Sequence, residues 1–272
     1  MADCEYDEMV PRRIDRYWSE RFGLEQHMLD RVGVRVVPHA RRWNDCLAFV
    51  FVRGPLCVVS VGPAFVESTS ERVSGLAPLS LLNEKSLQLL LGRRILRFAG
   101  PLYQGYSERE DFTPVPSASV RILRSEQGDV VQQLATAPES ERPESTLTPA
   151  WREVLQRFAR ASEPTEWEHS GIDRADSALF GNFLGDELVA VAHYGMLAAD
   201  AASIGVLTHP AYRNCGYGKA VVSAAMADAF SHGHVVLYQT LEANRASVSL
   251  AEALGCQDYA RTFDVHLVED AA

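Results

Sequence analysis

The sequence predicts an α/β protein, because short apolar stretches of strand length recur between longer segments with helical periodicity. The clearest case is 201–230, which reads as a strand, a basic glycine-rich turn and a long helix. The 272 residues, 47% hydrophobic and 23% charged, are typical of a globular protein long enough for two domains. A polar stretch with two prolines at 107–118 predicts a boundary between an α+β domain at 1–112 and a second domain at 118–268.

The composition argues against several classes of protein. A formal net charge of −10 does not fit a broad nucleic-acid-binding surface. No run reaches the roughly 18 apolar residues of a membrane span, and the acidic start MADCEYDEMV does not resemble a signal peptide. We therefore expect a cytoplasmic protein without nucleic-acid or membrane partners, and we leave a homodimer open. Disulfides and a metal site are not expected, because the five cysteines are scattered without a CxxC pair: Cys4, Cys46, Cys57, Cys215 and Cys256.

The first half contains both helical and strand patterns. Ile14, Tyr17, Trp18 and Phe22 share one stripe of a helix predicted at 12–22. Arg53-Gly54-Pro55 predicts a hairpin turn. The remaining predictions are strands at 34–37, 46–52 and 56–61, helices at 63–73 and 78–91, and a strand at 94–98 that Gly100-Pro101 ends. We find no catalytic motif in this half.

The second half alternates strands and helices more regularly. The Gly185-Asp186 pair predicts a tight turn between two strands. A stretch rich in Pro, Glu, Ser and Thr at 136–148 predicts a mobile loop. The predicted strands are 119–123, 178–183, 187–194, 201–208, 235–240 and 258–267, and the predicted helices are 129–134, 151–161, one that begins at Lys219, and 248–254.

Residues 213–219, here called the anion loop, join the 201–208 strand to the long helix. Its two glycines let the backbone bend, so that several N–H groups can point at one spot. The helix start adds unpaired donors and a positive partial charge. Arg213 and Lys219 add full positive charges. The loop therefore predicts a site for a phosphate or pyrophosphate group.

Two common phosphate-binding patterns do not fit the anion loop. The P-loop pattern GxxxxGK[ST] fails because Ala220 follows Lys219, and because Arg213 stands in place of the first glycine. The dinucleotide pattern GxGxxG fails because Val221 occupies the place of the third glycine. The pattern that fits is Arg-x-x-Gly-x-Gly between a strand and a helix.

Residues 203–219, SIGVLTHPAYRNCGYGK, resemble the acyl-CoA-binding motif of the GNAT superfamily of N-acyltransferases. The strand at 235–240, followed by Asn244, Ser247 and Leu254-Gly255, resembles the companion segment of that superfamily. The resemblance covers about 119–268. The first 110 or so residues lie outside it and could be a diverged partner half.

The resemblance implies a mixed central sheet flanked by helices, in which the strands before the anion loop and before Asn244 run parallel and splay apart. Acetyl-CoA is then the expected acyl donor, with its pantetheine arm in the splay and contacts from Asn244 and Ser247. The backbone groups implied for pantetheine are those of Val206, Leu207 and Thr208. Those implied for pyrophosphate, beside Arg213, are Asn214, Cys215, Gly216, Tyr217, Gly218 and Lys219.

The proton chemistry concerns the attacking amine and the leaving thiolate. A lysine-like amine of pKa near 10.4 costs about 4 kcal/mol to deprotonate at neutral pH, so a base is useful. Five residues qualify as that base by type only, and we assign none: Glu168, His169, Glu187, His193 and Glu242. Many relatives carry a Tyr on the short helix to protonate the leaving thiolate, but that position here is Ala251. Ser247 or Tyr259 could replace it, directly or through water, or no acid is needed.

Two other features have simpler interpretations. Cys215 lies in the anion loop without a His at a spacing that indicates a nucleophile, so we expect only its backbone to act. His232-Gly233-His234 is better explained as a helix stop than as a metal site.

The sequence therefore predicts an N-acyltransferase, most simply an N-acetyltransferase, that moves an acyl group directly from acyl-CoA to an amine. The acceptor is left open among an amino-acid-like metabolite, an antibiotic-type amine and a protein amine, and the acidic charge favours a cationic one. The alternative, motivated by Ala251, is a catalytically weak acyl-CoA-binding sensor or assembly module. The N-terminal half would then be the functional interaction domain.

Overall fold

The computed structural model describes residues 12–39, 46–91, 96–116, 119–123, 149–174 and 178–267. The helix predicted at 129–134 and the loop predicted at 136–148 lie outside these residues. The chain forms two compact units that interleave along the sequence. The first unit is Met1–Gln104, Thr240–Asn244 and Tyr259–Ala272, and the second is Gly105–Gln239 and Arg245–Asp258. The division into consecutive domains at 1–112 and 118–268 stays a prediction.

Most helices and strands follow the predicted order with shifts at their ends. The helices are α1 (Arg13–Phe22), α2 (Val66–Val73), α3 (Glu84–Leu91), α4 (Pro149–Arg160), α5 (Pro164–Ser170), α6 (Tyr217–Ser231) and α7 (Arg245–Ala253). The strands are β1 (Gly33–Pro38), β2 (Ala48–Arg53), β3 (Leu56–Val61), β4 (Leu96–Ser107), β5 (Val120–Leu123), β6 (Leu179–Leu184), β7 (Glu187–Ala198), β8 (Ala201–Thr208), β9 (Val235–Leu241) and β10 (Gln257–Leu267). Strand β4 and helix α5 are exceptions described below. The predicted helices at 63–73 and 78–91 each begin as a 3-10 turn, at Pro63–Phe65 and Pro78–Leu81, before α2 and α3.

In the first unit, four strands lie in the order β1-β3-β2-β10. The β1–β3 pair is parallel, and the β2–β3 and β2–β10 pairs are antiparallel. The predicted hairpin at Arg53-Gly54-Pro55 is confirmed, because Arg53 pairs with Leu56 across the turn. Gly54 has a φ of 52° there, a backbone conformation that most side chains disfavour.

Helices cover both faces of β2, so every position of the strand from Ala48 to Val52 is buried. Val50 and Val52 join an apolar cluster with Leu87 of α3. Phe51 points the other way, and its ring centroid lies 5.3 Å from that of Phe22 on α1. This alternation is the normal period of a strand.

A buried ionic cluster joins α1 to two strands of the first unit. Asp15 is 5% exposed and accepts hydrogen bonds from Tyr259 Oη at 2.6 Å and Arg53 Nη1 at 2.8 Å. Arg53 also pairs with Asp30 at 3.3 Å. The Asp15 carboxylate is therefore paired and hydrogen-bonded, as a buried charge requires.

The prediction that Gly100-Pro101 ends its strand is wrong, because β4 runs from Leu96 to Ser107. Pro101 has no N–H to donate, but its carbonyl accepts the N–H of Glu242 at 2.9 Å. A Cβ on Gly100 would lie 2.7 Å from both the Phe263 ring and the carbonyl oxygen of Thr262. The glycine therefore permits a close approach between backbones, and it does not stop the strand.

In the second unit, five strands lie in the order β9-β8-β7-β6-β5. The β8–β9 pair is parallel and the other pairs are antiparallel, which confirms the mixed sheet. Helix α6 packs against β6, β7 and β8. An apolar cluster joins α4 to these strands and includes Leu155, Phe158, Leu179, Val191 and Leu207.

Helix α5 has no counterpart among the predicted elements. Glu163 precedes it in an extended conformation, Pro164 occupies its first turn, and Gly171 ends it with a φ of 67°. Proline at the start and glycine after the end are the usual signals of a short helix. Among the described residues, no helix is both long and apolar enough to cross a membrane.

Candidate functional site

The two parallel strands β8 and β9 separate after a short paired stretch. Their register pairs Ala201–Ser203 with Val235–Leu237. Beyond Ser203, the strand β8 continues to Thr208 and stays paired with β7 on its other side. The predicted splay is therefore present, and the backbone of Val206, Leu207 and Thr208 lies along it.

The backbone turns sharply where β8 leads into the anion loop. A 3-10 turn at Pro210–Tyr212 follows the strand, and its Ala211 N–H donates to His209 Nδ1 at 3.2 Å. Asn214 and Gly216 have φ values of 61° and 83°. These two left-handed positions fold the loop back toward the start of α6.

Helix α6 begins at Tyr217 with Gly216 as its N-cap. The first turn of a helix leaves N–H groups without intrahelical acceptors and carries about half a positive charge. Around these groups, residues 213–216 are exposed. Nothing lies within 4 Å of the place where a Cβ on Gly216 would stand. The space and the donors fit a phosphate group.

A close contact joins the end of β8 to the first turn of α6. A Cβ on Gly218 would lie 2.6 Å from Thr208 Oγ1 and 3.7 Å from Leu250 Cδ1 on α7. Gly218 is therefore a packing glycine that lets strand, loop and both helices meet. Gly216 has a different role, because its conformation requires glycine while the space around it is open.

The guanidinium of Arg213 reaches back to α5. Its Nη2 lies 2.6 Å from Oε2 of Glu166, and both side chains are about two-fifths exposed. Its Nε donates to the carbonyl of Thr208 at 3.4 Å. Glu166 therefore holds Arg213 at the anion loop. An anionic ligand bound there would compete with Glu166 for the guanidinium.

A cavity of about 450 Å³ lies beside His209. Glu187 lines it and accepts a hydrogen bond from Tyr212 Oη at 2.8 Å. This hydrogen bond raises the pKa of Tyr212. The cavity is lined by Val154, Arg157, Phe158, Ala161, Asp186, Glu187, Leu188 and His209.

Ser247 lies in the first turn of α7 and contacts Tyr238 of β9. The two hydroxyl oxygens are 2.9 Å apart. Tyr238 is only 2% exposed, and burial raises the pKa of its phenol to about 12. Burial likewise raises the pKa of the nearby Cys256 thiol to about 12. Both groups are therefore neutral near pH 7.

Asn244 and Ala251 lie on either side of Ser247 in the sequence. Asn244 belongs to the first unit and immediately precedes α7, with its N–H donated to the carbonyl of Leu241 at 2.9 Å. Ala251 is fully buried in the second unit, and its methyl group cannot supply a proton. The catalytic roles of Asn244 and Ser247 stay predictions.

Among the five candidates for the base, only Glu187 lines the cavity. His193 is buried, and its Nε2 lies 3.0 Å from the carbonyl of Ser170. Glu242 accepts from Arg261 Nε at 2.9 Å. Glu168 and His169 are exposed on α5.

Tyr259, the alternative to Ser247 as an acid, donates its hydroxyl to Asp15 within the first unit. Because that proton is already held by a carboxylate, we discard Tyr259 as the acid.

Cys215 and the histidine pair fit their simpler interpretations. Cys215 is exposed, and its thiol donates to the carbonyl of Arg213 at 3.4 Å. Gly233 has a φ of 81° just after α6, and the N–H groups of His232, Gly233 and His234 bond to carbonyls of its last turn. Within the described parts of the chain, no three His, Cys, Asp or Glu side chains are grouped to hold a metal.

Sequence reasoning missed two residues of this site. Glu166 had no signal, because its pairing with Arg213 depends on where α5 packs. Tyr238 was assigned to a strand, but its contact with Ser247 depends on how α7 folds back over β9. Both are polar partners of residues that the motif had identified.

Comparison with known proteins relates this region to one family. The family model described as "Acetyltransferase (GNAT) family" matches residues 148–256, which confirms the resemblance for the C-terminal half. No curated protein matches the sequence. A solved GNAT-family acetyltransferase from Colwellia psychrerythraea is 14% identical with a TM-score of 0.44, over 77% of this chain and 76% of that one. A GCN5-related N-acetyltransferase from Kribbella flavida is 17% identical with a TM-score of 0.41, over 66% and 63%. An aminoglycoside N-acetyltransferase solved in complex with CoA is 17% identical with a TM-score of 0.33, over 42% and 90%.

Proposed function

We propose that this chain, whose residues 148–256 form an acetyltransferase domain of the GNAT family, is an N-acetyltransferase that uses acetyl-CoA as its acyl donor. The observation that carries the proposal is the combination of an opened β8–β9 pair with an anion loop directly after β8. The gap between β8 and β9 suits an extended arm with amide groups, and the anion loop suits a pyrophosphate.

Each part of the donor has a proposed partner in the second unit. The pyrophosphate takes N–H groups from Asn214 to Lys219, and Arg213 adds a charge-assisted hydrogen bond. The pantetheine arm takes backbone groups of Val206, Leu207 and Thr208. Two or three charge-assisted bonds, at about 1.5–3 kcal/mol each before ordering costs, support micromolar binding.

The proposed reaction is direct transfer to a neutral amine. The donor supplies an acyl group activated as a thioester. The amine nitrogen forms a bond to the acyl carbon as the carbon–sulfur bond breaks, the amine loses one proton, and the sulfur leaves as a thiolate that gains one. A backbone N–H at or near Leu207 is the proposed donor to the acyl carbonyl oxygen. Positioning supplies much of the rate, since no protein nucleophile is required.

The cavity beside His209 supports a cationic acceptor. Asp186 and Glu187 bring two carboxylates to it, while Phe158 and Leu188 provide an apolar wall. Arg157 opposes them with a single positive charge. We therefore extend the proposal to an amine that has an apolar body, binds as a cation and loses a proton before the transfer. Glu187 is its proposed partner, because it is the candidate base that lines the cavity.

Thermal unfolding with acetyl-CoA and with coenzyme A tests the cofactor part of the proposal. Binding to the folded state should raise Tm with ligand concentration, and unchanged Tm with both would refute it. Thiol release in the presence of polyamines, arylalkylamines, amino acids, aminoglycosides and peptide amines tests catalysis. Stabilisation without thiol release from any of them would favour the sensor or assembly module.

A further inference from the structure

We propose that Glu166 couples the release of coenzyme A to the loss of charge on the acceptor amine. Without a donor, Glu166 pairs with Arg213; with donor and cationic amine both bound, its negative charge is balanced by the amine. After transfer the amine is neutral, so Glu166 competes for Arg213 again and weakens the hold on coenzyme A. This inference rests on the proposed function, and it gives a role to a residue outside the anion loop.

The side chain of Arg213 has two partners on opposite sides. Its Nη2 lies 2.6 Å from Glu166 Oε2, and its Nε donates to the carbonyl of Thr208 at 3.4 Å. The Arg213 and Glu166 side chains are 43% and 39% exposed, so an anion in solution can reach the guanidinium. A single guanidinium therefore separates the Glu166 carboxylate from the end of β8.

The cavity proposed for the acceptor begins at the next residue along the chain. His209 follows Thr208 and lines the cavity, and its ring centroid lies 6.2 Å from that of Phe158 on the apolar wall. Exposed charges still act on each other at about 8–10 Å in 0.1–0.15 M salt. A cation bound beside His209 is therefore in range of Glu166.

The diphosphate of the donor changes the balance of charge around Arg213. Before it binds, one guanidinium faces one carboxylate. Afterwards the same guanidinium faces the diphosphate as well, and the Glu166 carboxylate repels the new negative charges. An ammonium group in the cavity offsets that repulsion. Donor and cationic acceptor should therefore each bind better when the other is present.

The reaction removes the positive charge on which this coupling depends. The ammonium loses two protons in all, one before the transfer and one during it, and the leaving thiolate gains one. The product is a neutral amide beside coenzyme A. Glu166 then repels the diphosphate without a compensating cation, so coenzyme A should dissociate faster. Because exposed ion pairs are weak, we expect an effect of about twofold to threefold.

Binding of coenzyme A itself tests the coupling, since it has no acyl group to transfer. The probes are 2-phenylethylamine, a cation with an apolar body, and its neutral N-acetyl derivative, both at constant ionic strength. We expect saturating 2-phenylethylamine to lower the Kd of coenzyme A by about twofold to threefold, as measured by titration calorimetry. Stopped-flow measurement should assign most of the change to slower dissociation. The N-acetyl derivative should leave Kd unchanged.

The variant E166Q should abolish the coupling. It should bind coenzyme A with the same Kd whether 2-phenylethylamine is present or absent, because no carboxylate competes for Arg213. The matched control is E163Q, since Glu163 is exposed just before α5 and carries the same charge. E163Q should keep the coupling of the wild type, and in both proteins the coupling should shrink as salt rises.

Several outcomes would overturn the inference. Equal coupling in wild type and E166Q would mean that the amine acts on the diphosphate directly, and equal loss in E163Q and E166Q would mean that general charge is responsible. An amine without effect on wild-type Kd, or an equal effect of its N-acetyl derivative, would also overturn it. Wild-type protein that does not bind coenzyme A would instead refute the proposed function, and the inference with it.

Discussion

Thr208 Oγ1 stands 2.6 Å from the place where a Cβ on Gly218 would lie. This contact fixes the first turn of α6 against the end of β8. It also separates the two glycines of the anion loop, which the sequence presents as equivalent. Gly218 is needed because a side chain there would overlap Thr208. Gly216 is needed because its φ is positive, and its lack of a side chain keeps the helix N–H groups accessible.

We expect G218A to lower the free energy of unfolding by about 1–3 kcal/mol, because the added methyl group overlaps Thr208. In a T208A background the same change should be neutral or stabilising by up to about 1 kcal/mol, since alanine is the better helix former. Chemical denaturation of the four proteins in this cycle measures the coupling. Equal effects of G218A in both backgrounds would contradict the contact.

G216L should weaken coenzyme A binding by at least about tenfold, or about 1.4 kcal/mol, because the side chain enters the space before the helix N–H groups. Titration calorimetry measures this affinity. The matched control is G233L at the other end of α6, where φ is 81° compared with 83° at Gly216. Both changes should cost similar stability, but G233L should keep wild-type affinity. A similar loss of affinity in both would mean that strain, rather than access, weakens binding.

Substitutions of Arg213 and of Glu166 should change the affinity for coenzyme A in opposite directions. R213A should weaken coenzyme A binding by about tenfold through loss of a charge-assisted hydrogen bond. E166Q should tighten it by about twofold to threefold, since an exposed ion pair that competes for Arg213 is worth less than about 1 kcal/mol. Both effects should shrink as salt rises.

Glu163, just before α5, provides the control for the charge change alone. If E163Q tightened binding as much as E166Q does, general electrostatics rather than release of Arg213 would be responsible.

Asp264 on β10 predicts how stability of the first unit depends on pH. Burial raises the pKa of its carboxyl above the ordinary value of 3.8, although His266 and Arg21 oppose the shift. The folded state therefore binds the proton more tightly, and ionisation above the folded pKa destabilises it. D264N should raise Tm at neutral pH, and its advantage should disappear as pH falls through the folded pKa to below 3.8. A gain in Tm for D264N that stays the same from neutral pH to below 3.8 would contradict the assignment.

Much of the fold could be predicted from local pattern. The 201–208 strand and the helix after it are apolar segments separated by a clear turn signal, and the Gly54 and Gly185 turns are marked by residues that tolerate positive φ. Strand β4 was mispredicted at Gly100-Pro101 because a local rule about proline ignores donors elsewhere in the chain, which can bond to the proline carbonyl. There, the Glu242 N–H and the nearby Phe263 ring decide the outcome.

The residues of the candidate site likewise divide into those that the local sequence predicts and those that depend on packing. The anion loop is a contiguous segment, so its glycines and basic residues can be recognised together. Glu166 and Tyr238 meet their partners only through the packing of α5 and α7, and sequence periodicity does not specify those contacts.

The separation of β8 from β9 has a consequence for the protein without its ligand. An interior strand whose edge is uncovered has amide groups that behave like those of a sheet edge, which another extended chain can occupy. An arm with amide groups placed there would complete the sheet as an added strand does. Amide hydrogen exchange at Ile204–Thr208 should then slow when the gap is filled, and the filled protein should resist aggregation better. The concentration of the proposed donor would in this way also affect how readily the protein aggregates.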